Sequence, residues 1–317
     1  MLVTGASGFI GHAVCHAMRE RAIKFRPVTR GAVSLASHAA ILKDIGPRTD
    51  WGDELKDIDT VVHLAARVHM VRDLSGDPLR DYRLANVDTT LNLARQCAST
   101  GVRRFIYLSS IKVNGEWTTG RPFSAMSKPA PMDPYGISKL EAEQGLCKLS
   151  EETGLEVVII RPPLVYGPRV KANFLQLMRW VSRGVPLPLA SVDNRRSMVF
   201  VDNLVDLILR CVTHPDAPGR TFLVSDDHDV SVPELVRSLA AAMGKSSRLF
   251  PVPPSMLMML ARLVEKVGTA ERLLNSLQVD IEQTKSVLNW TPPYLFESGI
   301  EKTVKYFLEQ DRPDNKT

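Results

Sequence analysis

A glycine-rich turn near the start of the chain is the feature that most constrains its fold. Gly5, Gly8 and Gly11 follow a short apolar run that begins at Leu2, and an apolar-periodic stretch comes next. Glycine at this spacing lets a strand turn sharply into a helix, whose free N–H groups then attract a pyrophosphate. The pattern therefore predicts a dinucleotide-binding unit. Its predicted cofactor contacts are Gly5, Ser7, Gly8, Phe9, Ile10 and Gly11.

Short apolar runs alternate with helical patterns through the first half of the chain. The strand-like runs are 25–29, 40–45, 59–64, 104–108 and 155–161. Helical patterns at 82–100 and 134–152 separate the later runs. This alternation predicts an α/β fold, a Rossmann-type doubly wound parallel sheet.

The second half differs in its sequence pattern, since prolines and glycines cluster at its start and helical patterns follow. We expect a smaller, mostly helical C-terminal lobe that binds the substrate. Ser231 and Glu234 form a predicted capping box. The predicted division is a dinucleotide-binding domain at 1–165 with a returning segment at about 198–226, a substrate lobe at 166–197 and 227–310, and a polar tail at 311–317. Two runs of the returning segment, 198–201 and 221–224, are predicted as strands of the first sheet.

Composition excludes several classes of protein. The 317 residues carry 40 Lys+Arg against 35 Asp+Glu, a net charge of +5, without a basic run, so we expect no nucleic-acid partner. The richest apolar stretch, 256–264, contains Arg262 and falls short of the ~20 residues of a membrane span, so we expect no membrane insertion. The four cysteines are scattered, and no metal-ligand spacing occurs, which predicts a cytoplasmic protein without a metal.

The residue after the second predicted strand bears on cofactor choice. An acidic residue there would bind the ribose hydroxyls of NAD, whereas this chain has Arg30. A guanidinium suits a 2′-phosphate. The sequence therefore favours NADP(H), with NAD(H) as the other possibility. Asp44 and Ile45, at the next strand end, are candidates for contact with the adenine.

Three polar side chains form a candidate catalytic set. Tyr135 and Lys139 stand four residues apart in a predicted helix and so share one face, and Ser110 follows a predicted strand. A lysine ammonium and an oxidised nicotinamide both favour tyrosinate, and lowering the tyrosine pKa by about 3 units takes ~4 kcal/mol. Ser110 would hold the substrate oxygen while Tyr135 moves a proton and the nicotinamide moves a hydride.

Six motifs recur together in one known family. They are Gly5-Ala-Ser-Gly8-Phe-Ile-Gly11, His63-Leu-Ala-Ala66, Asn86-Val87, Ser109-Ser110, Tyr135-Gly-Ile-Ser-Lys139 and Arg161-Pro-Pro-Leu-Val-Tyr-Gly-Pro168. In this order they resemble the NAD-dependent epimerase/dehydratase family of extended short-chain dehydrogenase/reductases. The resemblance implies that Ser110, Tyr135 and Lys139 are catalytic. It adds to the cofactor contacts Leu64, Ala65, Ala66, Asn86, Tyr135, Lys139 and Pro162.

The same resemblance implies a substrate and an assembly. The substrate would be a UDP-linked sugar bound between the lobes, and a homodimer would form through a four-helix bundle built from 82–100 and 134–152. Asn173 and Arg196 match the family's contacts to the substrate diphosphate. Arg272 and Asp280 are candidates for a phosphate and a ribose contact. His63 is expected to lie satisfied inside a strand, and His69 is a candidate for facing the substrate.

Departures from the family pattern bear on the reaction. Dehydratases of the family carry Thr-Asp-Glu where this chain has Ser110-Ile111-Lys112, so we do not expect dehydration. The stretches 109–115, 170–174 and 194–197 resemble a group of bacterial O-antigen enzymes, the UDP-N-acetylquinovosamine dehydrogenases. We therefore expect NAD(P)H-dependent reduction of a UDP-4-keto-6-deoxy-N-acetylhexosamine, with Tyr135 as general acid.

Other readings of the same residues stay open. The first alternative is a 4-epimerase of a UDP-hexose or UDP-N-acetylhexosamine with tightly bound NAD. Reduction of a non-sugar ketone is another alternative, but Asn173 and Arg196 disfavour it, because they match contacts to a substrate diphosphate. A non-catalytic NADP(H)-binding sensor is a more distant alternative, since such proteins lose the tyrosine or the lysine.

Overall fold

A seven-stranded parallel sheet forms the centre of the molecule. The computed structural model describes residues 1–30, 41–67, 76–265 and 267–310. Strand order in the sheet is β3-β2-β1-β4-β5-β6-β9, and all six pairings are parallel. The strands are β1 Leu2–Thr4, β2 Arg26–Thr29, β3 Ile41–Leu42, β4 Thr60–His63, β5 Arg104–Leu108, β6 Glu156–Arg161 and β9 Arg220–Leu223. This arrangement confirms the predicted Rossmann-type fold.

Helices cover both faces of this sheet. The helices that flank the sheet and those of the second half are, in chain order, α1 Phe9–Glu20, α2 Pro78–Tyr82, α3 Thr89–Ser99, α4 Pro134–Thr153, α5 Ala172–Ser182, α6 Val201–Thr213, α7 Val232–Ala242, α8 Pro254–Leu263, α9 Val267–Leu274, α10 Glu282–Leu288 and α11 Phe296–Gln310. Alternate residues of the buried strand β5 serve the two faces. Ile106 packs in one core with α1 and α6, whereas Phe105 and Tyr107 pack in another with α3 and α4. Continuous apolar runs of this kind are typical of parallel strands buried on both faces.

The strand order reverses between β1 and β4. Chain connections leave these two neighbouring strands in opposite directions, so a crevice opens beyond their carboxyl ends. The turn 5–11 follows β1, and residues 64–66 follow β4. The fold therefore places the glycine turn and the loop after β4 at the position where open α/β sheets bind ligands.

The segment predicted as one helix at 82–100 is more complex. A short helix α2 precedes it, a π-helical turn follows at Arg83–Asp88, and α3 completes it. Asn86 lies in the π-helical turn and is buried. Such turns widen a helix locally and are frequent at functional sites.

The prediction that 198–201 returns to the large sheet is wrong. Strand β8, Arg196–Phe200, lies instead in a three-stranded sheet between β7, Leu164–Tyr166, and β10, Asp229–Val230. Val199 packs against the core of the large sheet, while Met198 and Phe200 pack in the core of the second half. Because β8 is buried on both sides, its sequence is a continuous apolar run, like that of a central strand of the large sheet. Such a run predicts a buried strand but does not specify which strands pair with it. The segment 221–224 does join the large sheet, as β9.

The second half is mostly helical, as predicted. Its core joins α5, α7 and α11, and the Ser231–Glu234 capping box begins α7. Two further helices, α8 and α9, follow α7 in this half. None of the helices within the described ranges is long and apolar enough to cross a bilayer. The proposed domain boundaries stay a prediction, and the tail 311–317 lies outside the described residues.

Candidate active site

The turn between β1 and α1 can be formed only by glycine at two of its positions. Gly5 has a φ of +69°, and a Cβ there would lie 2.8 Å from the Ala65 nitrogen. A Cβ on Gly11 would lie 2.1 Å from the Gly5 carbonyl oxygen. The Gly8 N–H closes the turn by donating to the same oxygen at 2.9 Å. The sequence motif thus folds into a tight turn held against the loop after β4.

The start of α1 fits the pyrophosphate of a dinucleotide. Its N-cap is Gly8, so no capping side chain competes for the first N–H groups, those of Phe9, Ile10 and Gly11. Those groups and the positive end of the helix dipole favour an anion. Ala65 lies beside this turn and its N–H donates to the Thr4 hydroxyl at 3.3 Å. The predicted contacts around Gly5 and Leu64–Ala66 are therefore brought together.

Asn86 holds the loop after β4 in place. Its Oδ1 accepts from the Arg67 N–H at 2.8 Å, and its Nδ2 donates to the Arg67 carbonyl at 3.1 Å and to the Ser138 hydroxyl at 3.0 Å. These bonds use both amide hydrogens. Asn86 therefore links the loop to α4, and its predicted direct contact with a cofactor stays a prediction.

Ser110 and Tyr135 are hydrogen-bonded to each other. Ser110 lies just beyond β5 and begins a 3-10 turn, Ile111–Val113, by accepting from the Lys112 N–H at 3.3 Å. The Pro162 carbonyl, just beyond β6, accepts from the Ile111 N–H at 3.0 Å. The ends of two adjacent strands, β5 and β6, therefore fix the position of Ser110. The contribution of Pro162 is its carbonyl group, which accepts the hydrogen bond from Ile111.

Lys139 lies one helical turn after Tyr135 and is buried. Its Nζ donates to the Leu108 carbonyl at 2.8 Å and lies 4.5 Å from the centre of the Tyr107 ring and 5.9 Å from that of Tyr135. Burial lowers the pKa of Lys139 to about 7, although the negative charge of Glu143 opposes the shift. The side chain is thus poised between its charged and neutral forms near neutral pH.

The Tyr135 pKa is raised in the structure, whereas the sequence predicted that it would be lowered. Burial raises this pKa well above its usual value of 10, and the negative charge of Asp133 raises it further, while the hydrogen bond with Ser110 opposes both. Lys139 donates to the Leu108 carbonyl rather than to the phenol. The interaction predicted from their spacing on one helix face is therefore weaker than the cost of placing a phenolate in a buried site.

Sequence reasoning missed an ionic cluster beside Tyr135. Lys112 Nζ donates to Glu116 Oε1 at 2.9 Å and to the Asp133 carboxylate. Asp133 is the N-cap of α4 and its Oδ1 accepts from the Gly136 N–H at 2.7 Å. The Asp133-Pro134 pair is a recognisable helix start, but its bond to Lys112 spans 21 residues and has no local signal.

A second missed feature is a buried ion pair beneath the site. Arg161 at the end of β6 donates two hydrogen bonds to the Glu143 carboxylate of α4, at 2.9 and 2.5 Å. It also donates to Asn114 Oδ1 at 3.0 Å, and Ser109 donates to Glu143. Each charge is paired and hydrogen-bonded, as burial requires. The pair joins α4, which carries Tyr135 and Lys139, to the end of the sheet.

Among the predicted substrate contacts, Arg196 and Arg272 come together. Arg196 Nη1 donates to the Arg272 carbonyl at 2.7 Å and to the Asn275 carbonyl at 2.9 Å. Burial lowers the pKa of Arg196, and the positive charge of Arg272 lowers it further, while Glu116 opposes both. Asp280 is exposed two residues before α10, and its Oδ1 accepts from the Glu282 N–H at 2.8 Å. Asn173 is exposed in the first turn of α5.

The remaining predictions concern the far end of the cofactor site and the histidines. Arg30 is exposed just after β2. The Asp44 carbonyl accepts from the Thr49 hydroxyl at 2.8 Å, and Ile45 packs against a core cluster. His63 is fully buried, with Nδ1 2.8 Å from the Thr4 hydroxyl and Nε2 3.0 Å from the Thr90 hydroxyl, so it is a satisfied core residue as predicted. The His69 prediction falls outside the described residues.

Taken with the sheet topology, these contacts define a class of protein. A parallel sheet that carries a glycine turn after its first strand and a Ser-Tyr-Lys set beyond β5 is the arrangement of a short-chain dehydrogenase/reductase-type enzyme. The chain belongs to the NAD dependent epimerase/dehydratase family, whose sequence profile matches residues 1–225.

Individual relatives share nearly the whole chain. UDP-glucose 4-epimerase of Vibrio cholerae is 45% identical over 316 residues, covering 98% of this chain and 95% of the relative. Among solved structures, MoeE5 in complex with UDP-glucuronic acid and NAD has a TM-score of 0.80 at 26% identity, covering 98% of this chain and 99% of that chain. UDP-glucuronic acid 4-epimerase from Bacillus cereus in complex with NAD has a TM-score of 0.80 at 22% identity with the same coverage, which supports the fold. The Vibrio relative favours the epimerase alternative over the reductase reading.

Proposed function

We propose that this protein is an NAD-dependent 4-epimerase of a UDP-linked hexose or N-acetylhexosamine. The observation that carries the proposal is the 45% identity with the UDP-glucose 4-epimerase of Vibrio cholerae over 98% of the chain. The hydrogen bond between Ser110 and Tyr135, with Lys139 one helical turn away, supports the same chemistry. Epimerisation by oxidation and reduction at carbon 4 needs one group that accepts and then returns a proton, and we assign this role to Tyr135.

The proposed reaction divides the work among three side chains. Tyr135 takes the proton of the sugar's 4-hydroxyl group as carbon 4 loses a hydride, and it returns that proton after the hydride is restored to the opposite face. Ser110 holds the reacting oxygen in line with the phenol. Lys139 offers an ammonium group that favours the tyrosinate. NAD, when bound along the glycine turn, supplies the acceptor and donor of the hydride.

Dehydration does not fit the residues beyond Ser110. Ile111 is buried and apolar, so it cannot exchange a proton. Lys112 is occupied by Glu116 and Asp133. The positions that carry an acid and a base in dehydratases of the family therefore supply neither.

Arg196 and Arg272 are the proposed anchor of the substrate diphosphate. Burial lowers the pKa of Arg196 and the positive charge of Arg272 lowers it further, and a bound diphosphate would supply the negative charge that favours both guanidinium groups. Asn173 and Asp280, both exposed, are also proposed as substrate contacts, and Asp280 Oδ1 in addition accepts from the Glu282 N–H. A homodimer through a bundle built from α3 and α4, and a role in O-antigen assembly, also stay proposals.

Reduction of a UDP-4-keto-6-deoxy-N-acetylhexosamine is the second candidate function. One observation favours it, namely that Arg30 is exposed beyond β2, where an NAD-binding protein of this fold usually carries an acidic residue. A guanidinium there suits the 2′-phosphate of NADPH, the cofactor that a reductase consumes.

The two functions separate in one experiment. The purified protein, with no added cofactor, is incubated with UDP-glucose and, separately, UDP-N-acetylglucosamine, and the galacto products are followed by proton NMR. Conversion that is lost in Tyr135→Phe and kept in Tyr306→Phe supports the epimerase. The reductase arm supplies the 4-keto-6-deoxy sugar, generated in place, with NADPH or NADH. Stoichiometric oxidation there, without epimerisation, would reject the proposal.

A further inference from the structure

Helix α8 exposes a stripe of large apolar side chains. Its members are Met256, Met259, Leu260, Leu263 and Val264, which have 43, 56, 49, 74 and 61% of their surface exposed. Their spacing is that of one helical face, i, i+3, i+4, i+7 and i+8. Such a face is normally buried against a neighbour. We call these five residues the apolar stripe.

The other side of α8 is already used for packing. Ala261 is buried, and Leu257 packs against the core of the second half. The helix is therefore apolar on both sides, and only Ser255 and Arg262 are polar between 255 and 263. A helix that is apolar all round is expected to be covered on all sides. The apolar stripe thus fits a partner outside the described part of the chain.

Basic residues lie on the segment that leads into α8, on the segment paired with it, and on α8 itself. The segments 179–185 and 245–265 contain five basic residues and one acidic residue, Glu265. The exposed basic residues, which we call the basic margin, are Arg179, Arg183, Lys245, Arg248 and Arg262. The two segments lie side by side, because Lys245 Nζ donates to the Ser182 carbonyl and the Leu187 N–H donates to the Arg248 carbonyl at 2.8 Å. Phe250, 43% exposed, stands between Arg248 and the start of α8 in the sequence.

We propose that the apolar stripe and its basic margin dock this protein on the surface of an anionic phospholipid membrane. Apolar side chains of a surface helix enter the boundary between headgroups and acyl chains, while basic residues around them meet anionic headgroups. A second copy of the chain fits less well, because a symmetric contact through the apolar stripe would bring two basic margins together. The membrane is contacted, not spanned.

The test is flotation of the holoenzyme with lipid vesicles. Vesicles of phosphatidylcholine alone are compared with vesicles that contain about 30% phosphatidylglycerol. We expect binding to the anionic vesicles that weakens on adding salt, and a loss of at least tenfold in Leu263→Glu and in Met259→Glu. The matched control is Leu295→Glu, since Leu295 is also 74% exposed but directly precedes α11 and is not part of α8. The pair Arg179→Gln and Arg248→Gln should weaken binding by about fivefold per residue.

Several outcomes would overturn the proposal. The proposal fails if the wild-type protein does not bind anionic vesicles, or if it binds both types of vesicle equally. If Leu263→Glu and Leu295→Glu weaken vesicle binding equally, the apolar stripe has no specific role in binding. If light scattering shows a dimer that Leu263→Glu dissociates while vesicles bind nothing, the stripe is an interface between copies. Epimerisation or reduction in solution reports on the proposed function separately, because none of these substitutions lies in the catalytic set.

Discussion

Burial dominates the protonation of both Tyr135 and Lys139. It raises the pKa of the phenol and lowers that of the ammonium to about 7, so each side chain is pushed toward its neutral form. Tyr135 is therefore held in its neutral form, whereas Lys139 is divided between its charged and neutral forms near pH 7. A positively charged nicotinamide ring near the phenol would favour the tyrosinate, which links catalysis to cofactor occupancy.

Lys139 makes stability depend on pH in the cofactor-stripped protein. In the unfolded chain its pKa is 10.5, and in the folded protein it is about 7, so the unfolded state binds more protons between these values. Stability therefore rises with pH in that window. We expect wild type to gain ~2 kcal/mol relative to Lys139→Met between pH 7 and pH 9 in urea unfolding. An unchanged or shrinking difference would contradict the buried, deprotonating lysine.

If the glycine turn binds the dinucleotide as proposed, Gly11 is the residue whose substitution should affect cofactor retention most strongly. A Cβ there would lie 2.1 Å from the Gly5 carbonyl oxygen, which forces the turn open. We expect Gly11→Ala to be purified with at least tenfold less bound nicotinamide dinucleotide than wild type, measured after acid release. Gly76→Ala is the control, since its Cβ has nothing within 4 Å. Equal retention in the two variants would refute the role of the turn.

At the scale of elements, the start of α4 is held by charge. Lys112 of the 3-10 turn bonds to Asp133, the N-cap of α4, and Asp133 raises the pKa of Tyr135. The contact is close, because a Cβ on Gly136 would lie 2.8 Å from the Lys112 carbonyl oxygen. The lysine both fixes the helix start and offsets a negative charge beside the proposed general base. We regard Lys112 as a positioning residue.

The Lys112 assignment predicts a change in the pH profile of epimerisation. With Lys112→Met, the uncompensated Asp133 charge should move the acidic limb of the kcat profile up by about one pH unit and lower kcat about tenfold near neutrality. Lys112→Arg keeps the positive charge and should restore most of kcat and the position of the limb. A profile unmoved in Lys112→Met, or an equal loss in Lys112→Arg, would leave only a structural role.

At the scale of the whole molecule, strand β8 joins two cores. Val199 belongs to the core of the large sheet and Phe200 to the core of the second half. Tyr166 of β7 adds a hydrogen bond to Asp226 at 2.8 Å, and Asp226 accepts from the Phe200 N–H at 2.7 Å. A strand shared in this way couples the stability of the two halves.

That coupling predicts one cooperative unfolding transition. Phe200→Ala removes a fully buried ring and should cost about 3–5 kcal/mol. Urea unfolding of the variant should give a single, earlier transition that coincides in near- and far-ultraviolet circular dichroism. Two separated transitions would mean that the second half unfolds independently.

The features that the sequence predicted well are those encoded locally. The glycine turn, the alternation of strands and helices and the Ser231–Glu234 capping box all depend on neighbours in the chain, and all appear in the structure. The prediction for 198–201 failed for a different reason. One strand that pairs with β8 is β7, which lies more than 25 residues earlier, so no local pattern in the sequence identifies it. The Lys112–Asp133 bond and the pKa directions of Tyr135 and Lys139 likewise arise from tertiary packing.

The most direct test of the proposed epimerisation follows the hydrogen on carbon 4. UDP-glucose deuterated at that carbon is incubated with the purified protein in ordinary water, and the galacto product is examined by NMR and mass spectrometry. The account predicts that the product keeps its deuterium, because the hydride leaves and returns within one active site, and that Tyr135→Phe slows the conversion by about 100- to 10,000-fold. Loss of deuterium to solvent would contradict hydride transfer, and the absence of any galacto product from this substrate and from UDP-N-acetylglucosamine would contradict the epimerase itself.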